Sequence, residues 1–459
     1  MLRRTISREL AEFAYGIRYA DLPPAVIETA RGRLIDTLGC ALGATRLRDS
    51  LILRENAFLQ GGNAEATLIG YGDRLPASVV AMVNAQLVRA LDFNDVYWRD
   101  DACNPSVLIP VALAAGEASG ASMEEVLTTL VLGYEILTRL TKAAVPPIRQ
   151  RHFHRATFVG IVAPLVAGRA LGLSTEQMVH ALGLGTSRAV VLGCAGSGRQ
   201  GISRLIPEAF AAQTGVQMAQ LAKRGLTSTD GIFEGKEGLF EALGREWAEE
   251  RVTQGLGKKW KILDVTTKAW PVQTLMQPPL AALAQIVRER LLKTAEIESI
   301  TVHTLTRTRE INFSAPRYSA ETSEAAFQSL PLCLATLALE GKLTPSSFTP
   351  ERLADAPTRA LAQKVKAVAA GDLDREFPLR HGARVVVRTL GGTEHSASVD
   401  WPKGDPRNPM GPEDIRGKFL QLSSQLFSPE QANNIVDKLG ECEKLKPAAL
   451  MKLLVSQNR

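Results

Sequence analysis

The chain is poor in cysteine and holds none in a pattern. Cys40, Cys103, Cys194, Cys333 and Cys442 are odd in number and scattered, without C-x-x-C or zinc-ligand spacing. That excludes a disulfide framework and predicts reduced thiols, mostly small core residues, in a cytoplasmic protein. No apolar run reaches the ~18 residues a membrane span needs. The opening MLRRTISRELAEF has a basic pair but no apolar stretch behind it, so no secretory signal is expected. Charge of one sign is not concentrated along the sequence: 54 Lys and Arg exceed 48 Asp and Glu by six, without a basic run. Nucleic acid is therefore a poor partner, whereas an anionic small molecule fits easily. There is no G-x-x-x-x-G-K-[ST] order, no H-E-x-x-H and no other metal-ligand spacing. The glycine cluster GCAGSGRQG reads as a bend between helices, and neither nucleotide nor metal is expected.

What the chain does have is length and helical patterning. Its 459 residues exceed what one core normally serves, so two domains are expected. From Arg8 to about residue 260 apolar residues recur at helical spacing, and Pro23 and Pro24 open the segment AVIETARGRLIDTLGCALGA. Val79 to Leu91, Val107 to Glu117 and Val159 to Leu171 are apolar on more than one face, as helices inside a many-helix domain are. Ser174 and Gln177 form a capping box after Gly172. Beyond Trp260 the pattern changes. Ile297 to Leu305 alternates as a strand does, and Arg384 to Val387, Gly391 and Gly392, then His395 to Val399 read as a hairpin. Between them Ala325 to Leu339 and Pro357 to Ala370 look helical, and helices return from Pro409. The expected architecture is mainly α: a large all-helical domain of residues 1–265 and 403–459, and a smaller α+β lid domain of residues 266–402.

The densest polar stretch of the helical half is ALDFNDVYWRDDACNPS, residues 90–106, between two strongly apolar helices. By itself it reads as a solvated loop with capping acids, or as a functional loop. Taken in order, ADLPPAVIETARGRLIDTLGCALGA, ALDFNDVY with NPS, HFHRATFVGIVAPLVAGRALGLSTEQMVHALGLGTSRA, GVQMAQLAKRGLTS, TKAWPVQT, SEAAFQSLPLCLATLALEGKLT and GDPRNPMGPEDIRGKF resemble successive signature regions of the MmgE/PrpD family. That family includes 2-methylcitrate dehydratases, cis-aconitate decarboxylases and iminodisuccinate epimerases. The resemblance implies a cofactor-independent lyase without a metal, dimeric through its helical domain, with a site in the cleft between the domains. It also implies that Asp92, Asp95, His154 and Lys268 are retained family residues, with Asp92, His154 and Lys268 catalytic.

Other positions depart from the family pattern. Val96 stands for a threonine, Asn104 for a histidine, Arg204 for a lysine, Gln277 for a histidine and Leu332 for a tyrosine. With Asn94 and Tyr97, these are the residues expected to line the substrate pocket. Asparagine cannot relay a proton as histidine does. Arg204 keeps the charge and clamps a carboxylate, but it cannot act as an acid at neutral pH. Val96 and Leu332 are expected to dry the pocket, raising the pKa of Asp92 and lowering that of Lys268. Three functions follow for comparison. One is a dehydratase or decarboxylase acting on a carboxylate; another is an isomerase or cyclase taking a larger, less polar substrate in a specialised biosynthetic pathway; the third is a non-catalytic binding protein.

Overall fold

The computed structural model describes residues 4–99, 102–196, 202–244, 246–290 and 294–456. Asp100 and Asp101 of the polar stretch, and Ser197 to Gly201 of the glycine cluster, including Arg199, lie outside the described residues.

Pro24 starts helix α1 (Pro24–Gly43) with Pro23 at its N-cap, where a fixed φ and a missing N–H cost nothing. Helix α2 (Ala77–Ala90) is buried along its whole length, and α3 (Leu108–Ser119) is buried from Leu108 to Gly116. They are enclosed by α4 (Met123–Ala143), α5 (Ala156–Ala170) and α6 (Pro207–Lys223). Gly215 lets α6 approach α5 closely, since a Cβ there would lie 2.3 Å from that of Ala163. The capping box of Ser174 and Gln177 starts Thr175–Thr186, and Gly172 lies in the left-handed region with φ 72°. Side chains between Ile6 and Val265 form one hydrophobic core, joined by Phe419 to Leu454 from the end of the chain.

Residues Val272 to Val399 build a second core. Helices α7 (Gln277–Arg290) and α8 (Leu330–Glu340) pack together, and α7 lies on a four-stranded sheet. Its strands are β1 (Ile297–Thr304), β2 (Val365–Ala369), β3 (Ala383–Thr389) and β4 (Glu394–Val399), in the order β2-β1-β3-β4. The hairpin of β3 and β4 forms as expected, with Val387 opposite His395. The helix expected over Pro357 to Ala370 ends at Ala362, and Val365–Ala369 is a strand running parallel to β1. The edge of β1 offers it a ladder, and tertiary pairing overrides the weak helical pattern of VKAVA. From Pro412 the chain returns to the first core as α9 (Pro412–Ser423), which packs on α1 through Phe419 against Gly39. The protein is thus mainly helical with a smaller α+β region.

Candidate active site

Helix α2 ends at Ala90, and two residues later the backbone turns left-handed at Asp92, φ 46°. Aspartate tolerates that conformation better than most residues. The turn brings the carboxylate among three cations. Its Oδ1 accepts from Lys268 Nζ at 2.9 Å and from Arg89 Nη1 at 3.3 Å, and its Oδ2 accepts from Arg204 Nη2 at 2.8 Å. Lys268 Nζ also donates to the Asp92 carbonyl at 2.7 Å. Arg89 is fully buried, and its Nε lies 3.5 Å from Glu208, which in turn pairs with Arg155 at 3.0 Å. Charges therefore alternate in a row: Lys268, Asp92, Arg89, Glu208, Arg155.

Burial and the row act together on the protonation states. Burial acts to raise the Asp92 pKa, but Lys268, Arg204 and Arg89 outweigh it and hold the carboxyl well below its usual range. The upward shift expected from a dry pocket is corrected accordingly: direct ion pairs beat desolvation. Burial lowers Lys268 to about 8, with Asp92 opposing the fall, in the direction the sequence suggests. His154 is lowered by burial to about 4, with the Glu208 carboxylate opposing. At neutral pH its ring is uncharged. The ring Nδ1 accepts from the Ala156 N–H at 3.2 Å, which leaves the proton on Nε2.

Several elements deliver Lys268. Val96 and Thr266 exchange backbone hydrogen bonds, each 2.9 Å. Arg33 donates to Thr267 Oγ1 at 2.5 Å and to the Val265 carbonyl. Thr267 N–H donates to Gly404 O at 3.0 Å, where a Cβ on Gly404 would fall 1.8 Å from Thr267 O. From α9, Lys418 Nζ donates to the carbonyls of Phe93 at 2.8 Å and Lys268 at 3.0 Å, and pairs with Asp36 at 2.7 Å.

A cavity of about 890 Å³ lies between the two cores. Asp92, Val96, Asn104, His154, Arg204 and Lys268 all face it. Asn104 donates its amide to Asp95 O at 2.7 Å. Four residues expected at the pocket do not line it. Asn94 is buried between Arg89 and Ser106, at 2.6 and 2.8 Å. Tyr97 is fully buried and bridges to Cys103. Gln277 binds the backbone of Ala269 and Trp270, bracing the start of α7. Leu332 packs in the second core. Asp95 is likewise a strut, accepting from Tyr134 OH at 2.5 Å and from Ser106 N–H at 3.2 Å. The polar stretch is thus no solvated loop: from Asp92 to Trp98 its residues are buried.

The cavity also has a wall that sequence reading missed. Arg149, Arg155, Arg307 and Arg317 line it, with Glu310, Gln328 and His152. Arg317 is steadied by Gln328 Oε1 at 3.2 Å, and burial, followed by the neighbouring Arg204, lowers its pKa. Arg307 and Arg317 lie in TRTREINFSAPRYS, which has no motif; only their common wall marks them. Arg89 had one available signal, its spacing three residues before Asp92 at a helix end. Among the described residues no three His, Cys, Asp or Glu gather as a metal site, and no helix is long and apolar enough to cross a membrane.

A model of the MmgE/PrpD N-terminal domain matches residues 8–250, and one of the MmgE/PrpD C-terminal domain matches residues 270–441. Similar curated proteins include a cis-aconitate decarboxylase of Aspergillus terreus, 25% identical, with 96% of this chain and 94% of that one covered. The cis-aconitate decarboxylase-like protein oryM of Aspergillus oryzae is 24% identical, covering 98% and 97%. The cis-aconitate decarboxylase of Homo sapiens is 24% identical, covering 99% and 95%. With one model spanning more than half the chain and the second most of the rest, this protein belongs to the MmgE/PrpD family.

Proposed function

We propose that the chain is a lyase that removes carbon dioxide or water from a small polycarboxylate bound between the two cores, with cis-aconitate as the first substrate to test. One observation carries this reading: Lys268, its pKa lowered to about 8, lies on an ionised Asp92 at the wall of a cavity that Arg149, Arg204, Arg307 and Arg317 also line. Guanidinium groups suit carboxylates, and an amine with a pKa near neutrality is a competent proton donor. The relatives named as cis-aconitate decarboxylases support the choice of substrate.

Decarboxylation of cis-aconitate breaks the bond between the allylic methylene and its carboxylate. The electron pair shifts across the double bond to the carbon beside the other terminal carboxylate, which takes one proton as carbon dioxide leaves. In this reading Lys268 Nζ supplies that proton and the arginines hold the remaining carboxylates. His154 donates from Nε2 to a carboxylate oxygen, since a neutral ring with Nδ1 occupied is a donor. Asp92 orients Lys268 and keeps it protonated. Val96 and Asn104 shape the wall beside Asp92, where the family pattern has a hydroxyl and an imidazole.

The test is a product assay by NMR on cis-aconitate and 2-methylcitrate, with Lys268→Met as control. Turnover of either substrate that falls by about 10²-fold or more in the variant is expected. Silence on both would overturn the lyase reading. An isomerase or cyclase with a larger substrate has one observation in its favour, a volume near the top of the ~300–1,000 Å³ range of ligand pockets. The arginine wall and the position of Leu332 away from the cavity weigh against it.

A further inference from the structure

A second body of positive charge gathers away from the cleft. The last turn of α4 and the segment from Arg251 to Lys261 enclose a recess of about 530 Å³. Arg139, Lys142, Arg251, Lys258, Lys259 and Lys261 line it, with uncharged Gln254 and Gly255 and no carboxylate. With two of the six matched by Glu135 and Asp264, the cluster still holds a net four of the chain's excess of six positive charges. Half of the cluster is local, Lys258, Lys259 and Lys261 in KKWK, and folding adds Arg139, Lys142 and Arg251 from other turns.

Two acids lie behind this surface: Glu135 pairs with Arg139 at 2.6 Å and Asp264 with Lys261 at 3.3 Å. Cations at the end of α4 also suit its helix dipole, which accounts for Arg139 and Lys142. It does not account for Lys258 and Lys259, which directly follow the left-handed Gly255 (φ 71°) and Gly257 (φ 74°). Both lysines are exposed, and neither makes an ion pair among the described residues. Holding this many like charges together costs free energy that a multivalent anion would recover.

The donor types narrow the anion. Arg139 spends its guanidinium on Glu135 and on the carbonyls of Gln254 and Gly255, at 2.7 and 3.0 Å, and Arg251 donates to Lys142 O at 3.0 Å. What faces the recess is mainly ammonium groups on flexible stems. Those are point charges, which bind phosphate oxygens without needing a planar partner, and a linked phosphate chain brings more negative charge to them than a tricarboxylate does. Trp260 packs into the first core, 6.5 Å from Phe13, so the recess presents no indole for a base to stack on. We infer that this recess binds a small anion carrying two or more linked phosphates, recognised through its phosphates alone. Inorganic polyphosphates and nucleoside polyphosphates share that chemistry. The site is independent of the proposed lyase reaction.

Isothermal titration calorimetry of the full chain at physiological ionic strength tests it, with inorganic tripolyphosphate, ATP and citrate as probes. Expected are saturable binding of tripolyphosphate near one per chain, similar affinity for ATP, and citrate weaker by about tenfold or more. Lys142→Gln/Lys258→Gln/Lys259→Gln should weaken tripolyphosphate by about tenfold or more, while Arg204→Ala in the cleft leaves it unchanged. Should the triple variant fold poorly, acylation footprinting of the unmodified chain gives the same answer: tripolyphosphate should shield Lys258 and Lys259 but not exposed Lys444. No saturable binding, binding removed by Arg204→Ala, unshielded Lys258 and Lys259, or citrate or ATP binding far more tightly than tripolyphosphate would each overturn the inference.

Discussion

Burying Lys268 against an ionised Asp92 has a measurable consequence at high pH. Its pKa of about 8 lies below the ordinary lysine value, so the proton needed for the proposed step is lost as pH rises through about 8. The expected kcat/KM profile of the chain falls on its alkaline side with that pKa, measured on whichever carboxylate it turns over. Stability moves the other way. The folded pKa is depressed, the unfolded chain binds more protons between about 8 and 10, and unfolding free energy rises across that window. Asp92→Asn should shift the activity limb below about 8, because Asp92 is the group that raises Lys268. It also leaves Lys268, Arg204 and Arg89 without their shared counter-charge, at a stability cost of about 3–5 kcal/mol in denaturant melts. An unmoved limb in Asp92→Asn would detach Lys268 from the rate.

Helix α9 acts on the site from the far end of the chain. Lys418 ties the carbonyl of Phe93, next to Asp92, to that of Lys268, while its charge is matched by the buried Asp36 on α1. Burial outweighs Lys418 and raises the Asp36 pKa, so the carboxylate depends on this one ammonium. Lys418→Met should therefore lose about 3–5 kcal/mol by stranding Asp36. Pairing it with Asp36→Leu should recover much of that stability, since two apolar groups replace two buried charges. Activity should stay low in both variants because the two carbonyls lose their common donor. Melts and kinetics on the single and double variants form the cycle; equal stability of the two would show that Asp36 is satisfied some other way. The second sheet teaches a similar lesson about elements. The hairpin of β3 and β4 announced itself through alternation and a glycine pair, whereas β2 did not, because a short edge strand is decided by the partner it meets.

Between the two cores, His381 is 1% exposed, with both ring nitrogens unpartnered among the described residues. It lies against Trp98, ring centroids 3.9 Å apart and tilted by 44°, and meets Phe377 edge-on at 6.2 Å, and both of those rings line the cavity. Burial lowers its pKa to about 3, with Asp405 raising it and Arg407 lowering it further. His154 is lowered in the same direction, to about 4. Both folded values lie below the unfolded value, so the neutral rings contribute stability that is present above about 6.5 and is lost as pH falls toward 4. The melting temperature of the whole molecule should fall over that range. In His381→Leu roughly half of the fall should persist, carried by His154. A variant as acid-sensitive as the unmodified chain would remove His381 from the contact between the cores.

Periodicity, turn residues and ordered motifs are local properties, and they suffice for the helical half, the hairpin, the family and the candidates Asp92, His154 and Lys268. Which polar residues face the cavity depends instead on how distant segments pack. Asn94, Tyr97, Gln277 and Leu332 stand in or beside the same motifs as the candidates that line the cavity, yet their side chains turn into the cores or bind protein groups. Arg307 and Arg317 have no motif at all but reach the cavity. The sign of the Asp92 shift was hidden for the same reason. It depends on Lys268 and Arg204, from two distant segments, joining Arg89 at one carboxylate, and spacing along a chain does not encode distance across a fold.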